Sequence, residues 1–162
     1  MTTYDVENYI KIDDKRYDLV QFHFHYPSEH LVNGNQYPME LHLVHRSSEG
    51  NFAVLGIFII EGKKNKAVKR AWKKFPEEES IAYSKKTAVN LADLLPANTK
   101  SYYSYDGSLT TPLCTEEVKW IVFPGPISLS AKQIESFKSA YSNNFRPSQP
   151  LNERTIHFVT IP

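Results

Sequence analysis

Three histidines at strand spacing carry the strongest chemical signal in this chain. His23 and His25 lie within Gln21-Phe22-His23-Phe24-His25, and His42 lies within Glu40-Leu41-His42-Leu43-Val44-His45. On a strand, residues two apart project from one face. If the two runs pair antiparallel, the three imidazoles converge. Three histidines with an open fourth position describe a catalytic zinc site rather than a structural one. The ligand set favours zinc but also admits cobalt or another divalent ion. A metal-bound imidazole normally donates its other N–H to a fixed acceptor. Gln21 shares a face with His23 and His25, and Glu40 shares one with His42, so each run brings such an acceptor. Phe22, Phe24, Leu41 and Leu43 fall on the opposite face and would anchor both strands in a core. The bland alternative is a group of packing or surface histidines without a metal.

The elements that must hold this cluster are mostly strands. Thr3 to Ile12 reads as a strand, with Asp13-Asp14-Lys15 as its turn. Tyr17 to His25, Met39 to Arg46 and Phe52 to Glu61 follow as strands, separated by turn signals at Asn33-Gly34-Asn35 and Ser47-Ser48-Glu49-Gly50. Lys64 to Phe75 has the spacing of an amphipathic helix, ended by Pro76. Thr87 to Leu95 is ambiguous, with a short helix stopped by Pro96 as one reading. Ser101 to Asp106 is extended, Gly107 to Pro112 is a turn or loop, and Val118 to Phe123 is a strand closed by Pro124-Gly125-Pro126. Ser130-Ala131-Lys132-Gln133 has the pattern of a capping box and opens a helix to about Tyr141. Thr155 to Thr160 is a last strand. The fold class expected is mainly β, with a few peripheral helices around a central twisted, mostly antiparallel sheet. The 162 residues show no repeat and no break in composition, so one domain is expected.

Composition narrows the function classes. The 19 basic and 18 acidic residues leave a net charge of +1, without the basic footprint of a nucleic-acid binder. No apolar run reaches membrane-spanning length, and the first residues lack the pattern of a signal peptide. Cys114 is the one cysteine and cannot form an internal disulfide. Glu77-Glu78-Glu79 reads as a solvated run. Among hydroxyls and carboxylates, Thr110 and Glu29 are the candidates to orient an oxygen nucleophile on the metal, although the sequence does not place them side by side.

Gln21–His25, Ser28-Glu29-His30, Glu40–His45, Ala53-Val54-Leu55-Gly56, Ser108-Leu109-Thr110-Thr111-Pro112 and Trp120-Ile121-Val122 resemble, in order and spacing, the motif series of the alpha-class carbonic anhydrases. Arg146-Pro147, Gln149-Pro150-Leu151-Asn152 and Arg154 resemble that family's C-terminal segment, and the short Tyr26-Pro27-Ser28-Glu29-His30 link is closer to its bacterial members. The resemblance covers nearly the whole chain. It implies zinc ligation by His23, His25 and His42, with Gln21 and Glu40 holding His23 and His42. It implies that Thr110 orients zinc-bound hydroxide, with Glu29 fixing the threonine proton. Thr111 would line the substrate and inhibitor site, and Val44, Val54, Leu109, Val118 and Trp120 would form the apolar wall where carbon dioxide rests. His30 and Tyr105 would be buried hydrogen-bonding residues, whereas His45 and His157 are read as packing or surface residues. The function implied is reversible hydration of carbon dioxide to bicarbonate and a proton, with sulfonamides or anions as expected inhibitors. The stretch preceding Thr3–Ile12 in the family, with its proton-shuttling histidine and the cysteine partner of Cys114, has no counterpart here. That departure leads to four expectations: a truncated domain, slow proton transfer, self-association through open sheet edges, and an exported ancestor. It also keeps two rivals in view, an impaired remnant and a non-catalytic binding module.

Overall fold

The computed structural model describes residues 8–72 and 90–162. Among these, β1 (Tyr9–Ile12), β2 (Lys15–His25), β5 (Met39–Ser47), β6 (Phe52–Glu61), β8 (Val118–Leu129), β7 (Ser101–Gly107) and β9 (His157–Thr160) form one seven-stranded sheet, in the spatial order β1-β2-β5-β6-β8-β7-β9. A separate hairpin joins β3 (Leu31–Val32) to β4 (Asn35–Gln36). Every neighbouring pair in the large sheet is antiparallel except β6 and β8, which run parallel. The mainly β, mostly antiparallel reading therefore stands, as a mixed sheet. No helix among the described residues is long and apolar enough to cross a membrane.

Strand alternation sorts the sheet into two faces. Met39, Leu41 and Leu43 of β5, Leu55, Ile57 and Ile59 of β6, and Ile121 and Phe123 of β8 join Phe24 in one apolar cluster. The helices α1 (Lys66–Ala71) and α2 (Ala131–Ala140) cover this side through Val68 and Phe137. Trp72 stacks on Phe137 and meets Phe24 edge-on, so the back of β2 is tied to both helices. The other face presents Val44, Val54, Phe58, Val118, Trp120 and Val122 as a second cluster. Glu40 and His42 occupy the alternate positions of β5 on that same face, and both are buried.

Helix ends follow their chemistry. Asn65 caps α1 by accepting from Ala67 and Val68 N–H, at 2.9 and 3.0 Å. Ser130 and Gln133 close a capping box on α2. The Gln133 amide also bonds both the N–H and the C=O of Asn65, fastening one helix start to the other.

Two sequence expectations need correction. β8 is not closed by Pro124-Gly125-Pro126 but continues to Leu129. Phe123 faces Ile57 and Ile127 faces Ile59, so the Pro-Gly-Pro stretch falls where pairing with β6 is interrupted. Prolines are tolerated at such a bulge because no ladder hydrogen bond is required of them there. The helix expected from Lys64 begins only at Lys66 and ends at Ala71, with Trp72 as its C-cap; Phe75 and Pro76 lie outside the described residues. Thr3 to Glu7, Glu77-Glu78-Glu79 and the start of Thr87–Leu95 also lie outside them, and the rest of that last segment forms a 3-10 turn at Leu91–Leu94. β2, β5, β6, β7 and β9 begin and end within two residues of expectation, β1 covers only the last four residues of its expected span, and the short strands β3 and β4 flank the turn expected at Asn33-Gly34-Asn35. Asp13 and Asp14, both at positive φ, form the hairpin turn, and Lys15 already belongs to β2.

Candidate metal centre

β2 and β5 pair antiparallel with His23 opposite His42 and His25 opposite Glu40. A register shift between Leu19 and Gln21 lifts Val20 out of the ladder and keeps Gln21 on the face of His23. The structure brings His23, His25 and His42 together, each offering one nitrogen within a single 4.8 Å group.

Hydrogen bonding fixes which nitrogens face one another. His23 Nδ1 meets Gln21 Oε1 at 2.8 Å, and His25 Nδ1 meets the Asn144 main-chain oxygen at 2.7 Å. Both partners are acceptors, so both Nδ1 atoms carry the proton. His42 Nε2 lies 3.0 Å from Glu40 Oε1, off the line of a well-formed hydrogen bond. Burial would raise the Glu40 carboxyl, but His30 and His42 beside it hold it well below the usual carboxylate range. The His42 proton therefore sits on Nε2, facing the carboxylate. This leaves three bare nitrogens: His23 Nε2, His25 Nε2 and His42 Nδ1. His25 Nε2 and His42 Nδ1 lie 3.1 Å apart. With both protons on the far sides of the rings, that approach sets lone pair against lone pair. His23 Nε2 is buried without a hydrogen-bond partner. Buried lone pairs so arranged are costly unless a cation joins them, and the three nitrogens could hold a metal ion.

Electrostatics point the same way. Burial, then the neighbouring His42 and His25, push His23 down to about 3. Burial and His42 also depress His25. Near neutral pH these rings are unprotonated, the state that binds a metal.

Glu40 anchors the site from beneath. Its Oε2 accepts from the N–H groups of Glu29 and His30, at 3.0 and 2.9 Å, and its Oε1 meets His30 Nδ1 at 2.6 Å. Burial alone would depress His30, but Glu40 outweighs it and raises the imidazole. His30 Nε2 and Tyr105 Oη share a hydrogen bond of 2.7 Å. His30, Glu40 and His42 also converge within ligand reach, but the His30 ring and both Glu40 oxygens are already hydrogen-bonded. Gly56 lies opposite His42. A Cβ there would come within 2.9 Å of Glu40 Oε1 and 3.2 Å of Val122 Cγ2, so glycine leaves the room that the carboxylate occupies.

Beside the histidines lies a cleft of about 120 Å³, lined among others by Val44, Val54, Leu109, Thr110, Thr111 and Trp120. Val20 and Phe52, not anticipated from the sequence, also line it. Val118 does not; it is fully buried in the cluster behind the wall. Trp120 donates its indole N–H to the Ser108 carbonyl at 3.0 Å, holding the loop that carries Thr110.

Glu29 and Thr110 are not joined by a hydrogen bond. Glu29 Oε1 accepts from Arg146 N–H at 2.7 Å, while Glu29 Oε2 is buried without a hydrogen-bond partner, 3.8 Å from His42 Nδ1. Sequence reasoning missed Asn144 and Arg146 at this site. Asn144 acts on His25 through a main-chain oxygen, which carries no residue-type signature. His45 is buried and donates to the Leu43 carbonyl, and His157 is exposed on β9, both away from the cleft.

The family model of the eukaryotic-type carbonic anhydrases matches residues 4–160. A carbonic anhydrase of Nostoc sp. is 41% identical over 94% of this chain and 58% of its own length. A carbonic anhydrase of Pectobacterium carotovorum is 40% identical over 92% of this chain and 61% of its own length. The chain thus spans about three fifths of the length of these relatives. The alpha-carbonic anhydrase of Thermovibrio ammonificans, solved in complex with the inhibitor sulfanilamide, superimposes with a TM-score of 0.86 at 46% identity, over 91% of this chain and 66% of that one. With strands that bring three histidines to one face and a match over nearly all its residues, the chain belongs to the eukaryotic-type carbonic anhydrase family.

Proposed function

We propose that this chain carries out zinc-dependent, reversible hydration of carbon dioxide to bicarbonate and a proton. The observation that carries this reading is the convergence of three bare, buried imidazole nitrogens beside an apolar cleft. His23, His25 and His42 would hold the ion. Zinc bound there supplies a Lewis acid that makes water a nucleophile near neutral pH.

The chain's own residues do the rest. Gln21, the Asn144 carbonyl and Glu40 keep each ligand ring in one tautomer. Val44, Val54, Leu109 and Trp120 give the cleft a wall suited to a small neutral molecule that needs no charged clamp. Thr110 faces the cleft and would accept a hydrogen bond from the attacking oxygen, aiming a lone pair at the carbon. The Thr110 hydroxyl then needs an acceptor of its own, and the vacant Glu29 Oε2 is the proposed one. Thr111 lines the same cleft and would contact bound anions or sulfonamides, the class to which the inhibitor in the Thermovibrio ammonificans structure belongs.

Stopped-flow measurement of carbon dioxide hydration on the zinc-loaded chain, against a His42→Ala control, tests this. Hydration that disappears in the control is the expected result. A chain that binds one zinc yet hydrates no faster than the control would overturn the reading.

A further inference from the structure

β9 ends the large sheet, and its outer side pairs with no strand among the described residues. On its inner side Val159 faces Tyr102 and Phe158 faces Tyr103. One step beyond this ladder, Ile161 donates its N–H to the Lys100 carbonyl at 2.8 Å. In an antiparallel ladder, hydrogen-bonded pairs alternate with pairs that are not bonded. His157, Val159 and Ile161 therefore turn their main-chain groups toward β7, while Phe158 and Thr160 turn theirs away from the sheet. The side chains along this edge are apolar and open. Ile156, Phe158 and Ile161 are 45%, 58% and 49% exposed. Thr155 to Pro162 contains no lysine, arginine, aspartate or glutamate. The opposite edge is guarded by charge, since β1 carries Lys11 and runs into the Asp13-Asp14 turn.

We propose that β9 docks a second copy of this chain, the two strands pairing antiparallel about Val159 and joining two sheets into one. The strand's own symmetry selects this occupant. A two-fold axis at Val159 sets the whole segment 157–161, which faces β7 and Lys100, against its equivalent. Phe158 then lies opposite the partner's Thr160. Both bear outward main-chain groups, so the two such pairs close four hydrogen bonds. A shift of one residue would leave those groups unmet. Phe158 beside threonine is an aromatic and β-branched cross-strand pair, on the face where Phe158 already meets the Tyr103 ring at 5.0 Å. Val159 meets the partner's Val159 on the other face. Without charged side chains in the segment, no like charges are brought together, whereas a strongly acidic or basic strand would find no opposite charge there. The pairing stops at Pro162, which has no N–H to donate.

Sedimentation equilibrium over a concentration series tests the proposal. The mass should rise from the 18.7 kDa of one chain toward twice that value and stop there, because one two-fold contact occupies the edge. Thr160→Pro removes an outward N–H and no bond to β7, so it should keep the fold and move the monomer–dimer midpoint to roughly tenfold higher concentration. On a Cys114→Ser background, Val159→Cys should give a linked dimer on oxidation with diamide, since the paired Cα atoms would stand about 4.5 Å apart. Phe158→Cys should not, because its equivalent would lie on the diagonal, about 7–8 Å away. Thermal melts report whether each variant folds, and Phe158→Lys, at an exposed side chain, replaces Thr160→Pro if that variant does not. A monomer at every concentration, or growth beyond two chains, would overturn the proposal. So would a dimer that ignores Thr160→Pro and is not linked through Val159→Cys, which would place the contact elsewhere. A monomer whose Phe158 and Thr160 amides exchange slowly would also overturn it, and would mean that another part of the same chain covers the edge.

Discussion

Glu40 performs three tasks with two oxygens. It accepts two main-chain N–H groups from the turn at Glu29 and His30, pairs with the His30 ring, and faces the proton of His42. A glutamine keeps the shape but offers one acceptor where the carboxylate offers two. Glu40→Gln should therefore weaken zinc binding by about 10- to 100-fold and lower the melting temperature of the metal-free chain. Chelator competition and a thermal melt check both, and an unaltered zinc affinity would show that the His42 tautomer does not depend on Glu40. At this scale the sequence was most legible where chemistry followed alternation. His23, His25, His42, Gln21 and Glu40 all lie on strands whose period could be read, so their shared face could be read too. Asn144 was not legible because it reaches His25 from 119 positions away. Arg146 escaped for a related reason: it contributes a main-chain N–H, which every residue except proline possesses.

β6 shapes the site without supplying one of its three histidines. Its Gly56 leaves space beneath His42, and its Val54 supplies part of the cleft wall. Gly56→Ala pushes a methyl group against the Glu40 carboxylate and Val122, both in a packed interior. Overpacking of this kind costs about 1–3 kcal/mol, so the variant should melt at lower temperature and bind zinc more weakly. Full stability with unchanged affinity would mean that the strand yields by a few tenths of an ångström at no cost. Elements such as β6 and α2 were readable because each had one period and clear ends; Ser130 and Gln133 mark the start of α2 by their hydrogen-bonding chemistry alone. β8 was readable only in its first half. Pro124-Gly125-Pro126 carries the local signature of an ending, and the bulge that absorbs it exists only because β6 lies alongside.

At the scale of the molecule, several buried rings link stability to pH. His23 is pushed down to about 3, and His25 and His45 are also lowered from 6.5, mainly by burial. Once unfolded, each of these rings returns to about 6.5. Between that pH and its folded value, the unfolded chain binds protons that the folded chain refuses, so stability falls as pH falls. His30 is raised in the folded chain, so it is protonated in both states below 6.5 and does not offset this loss. The metal-free chain should therefore melt at progressively lower temperature from pH 7 to pH 5. Melting curves across that range are the check, and a flat profile would mean that the rings are hydrated rather than buried. The sheet order has a further consequence, in time rather than in space. β2, β5 and β6 are neighbours in the chain as well as in the sheet, apart from the small hairpin between the first two, so His23 and His42 meet across a short loop. The parallel pairing of β6 with β8 and the return of Asn144 to β2 both need distant parts of the chain, and such contacts form late. A folding chain thus brings His23 and His42 together before Asn144 reaches His25.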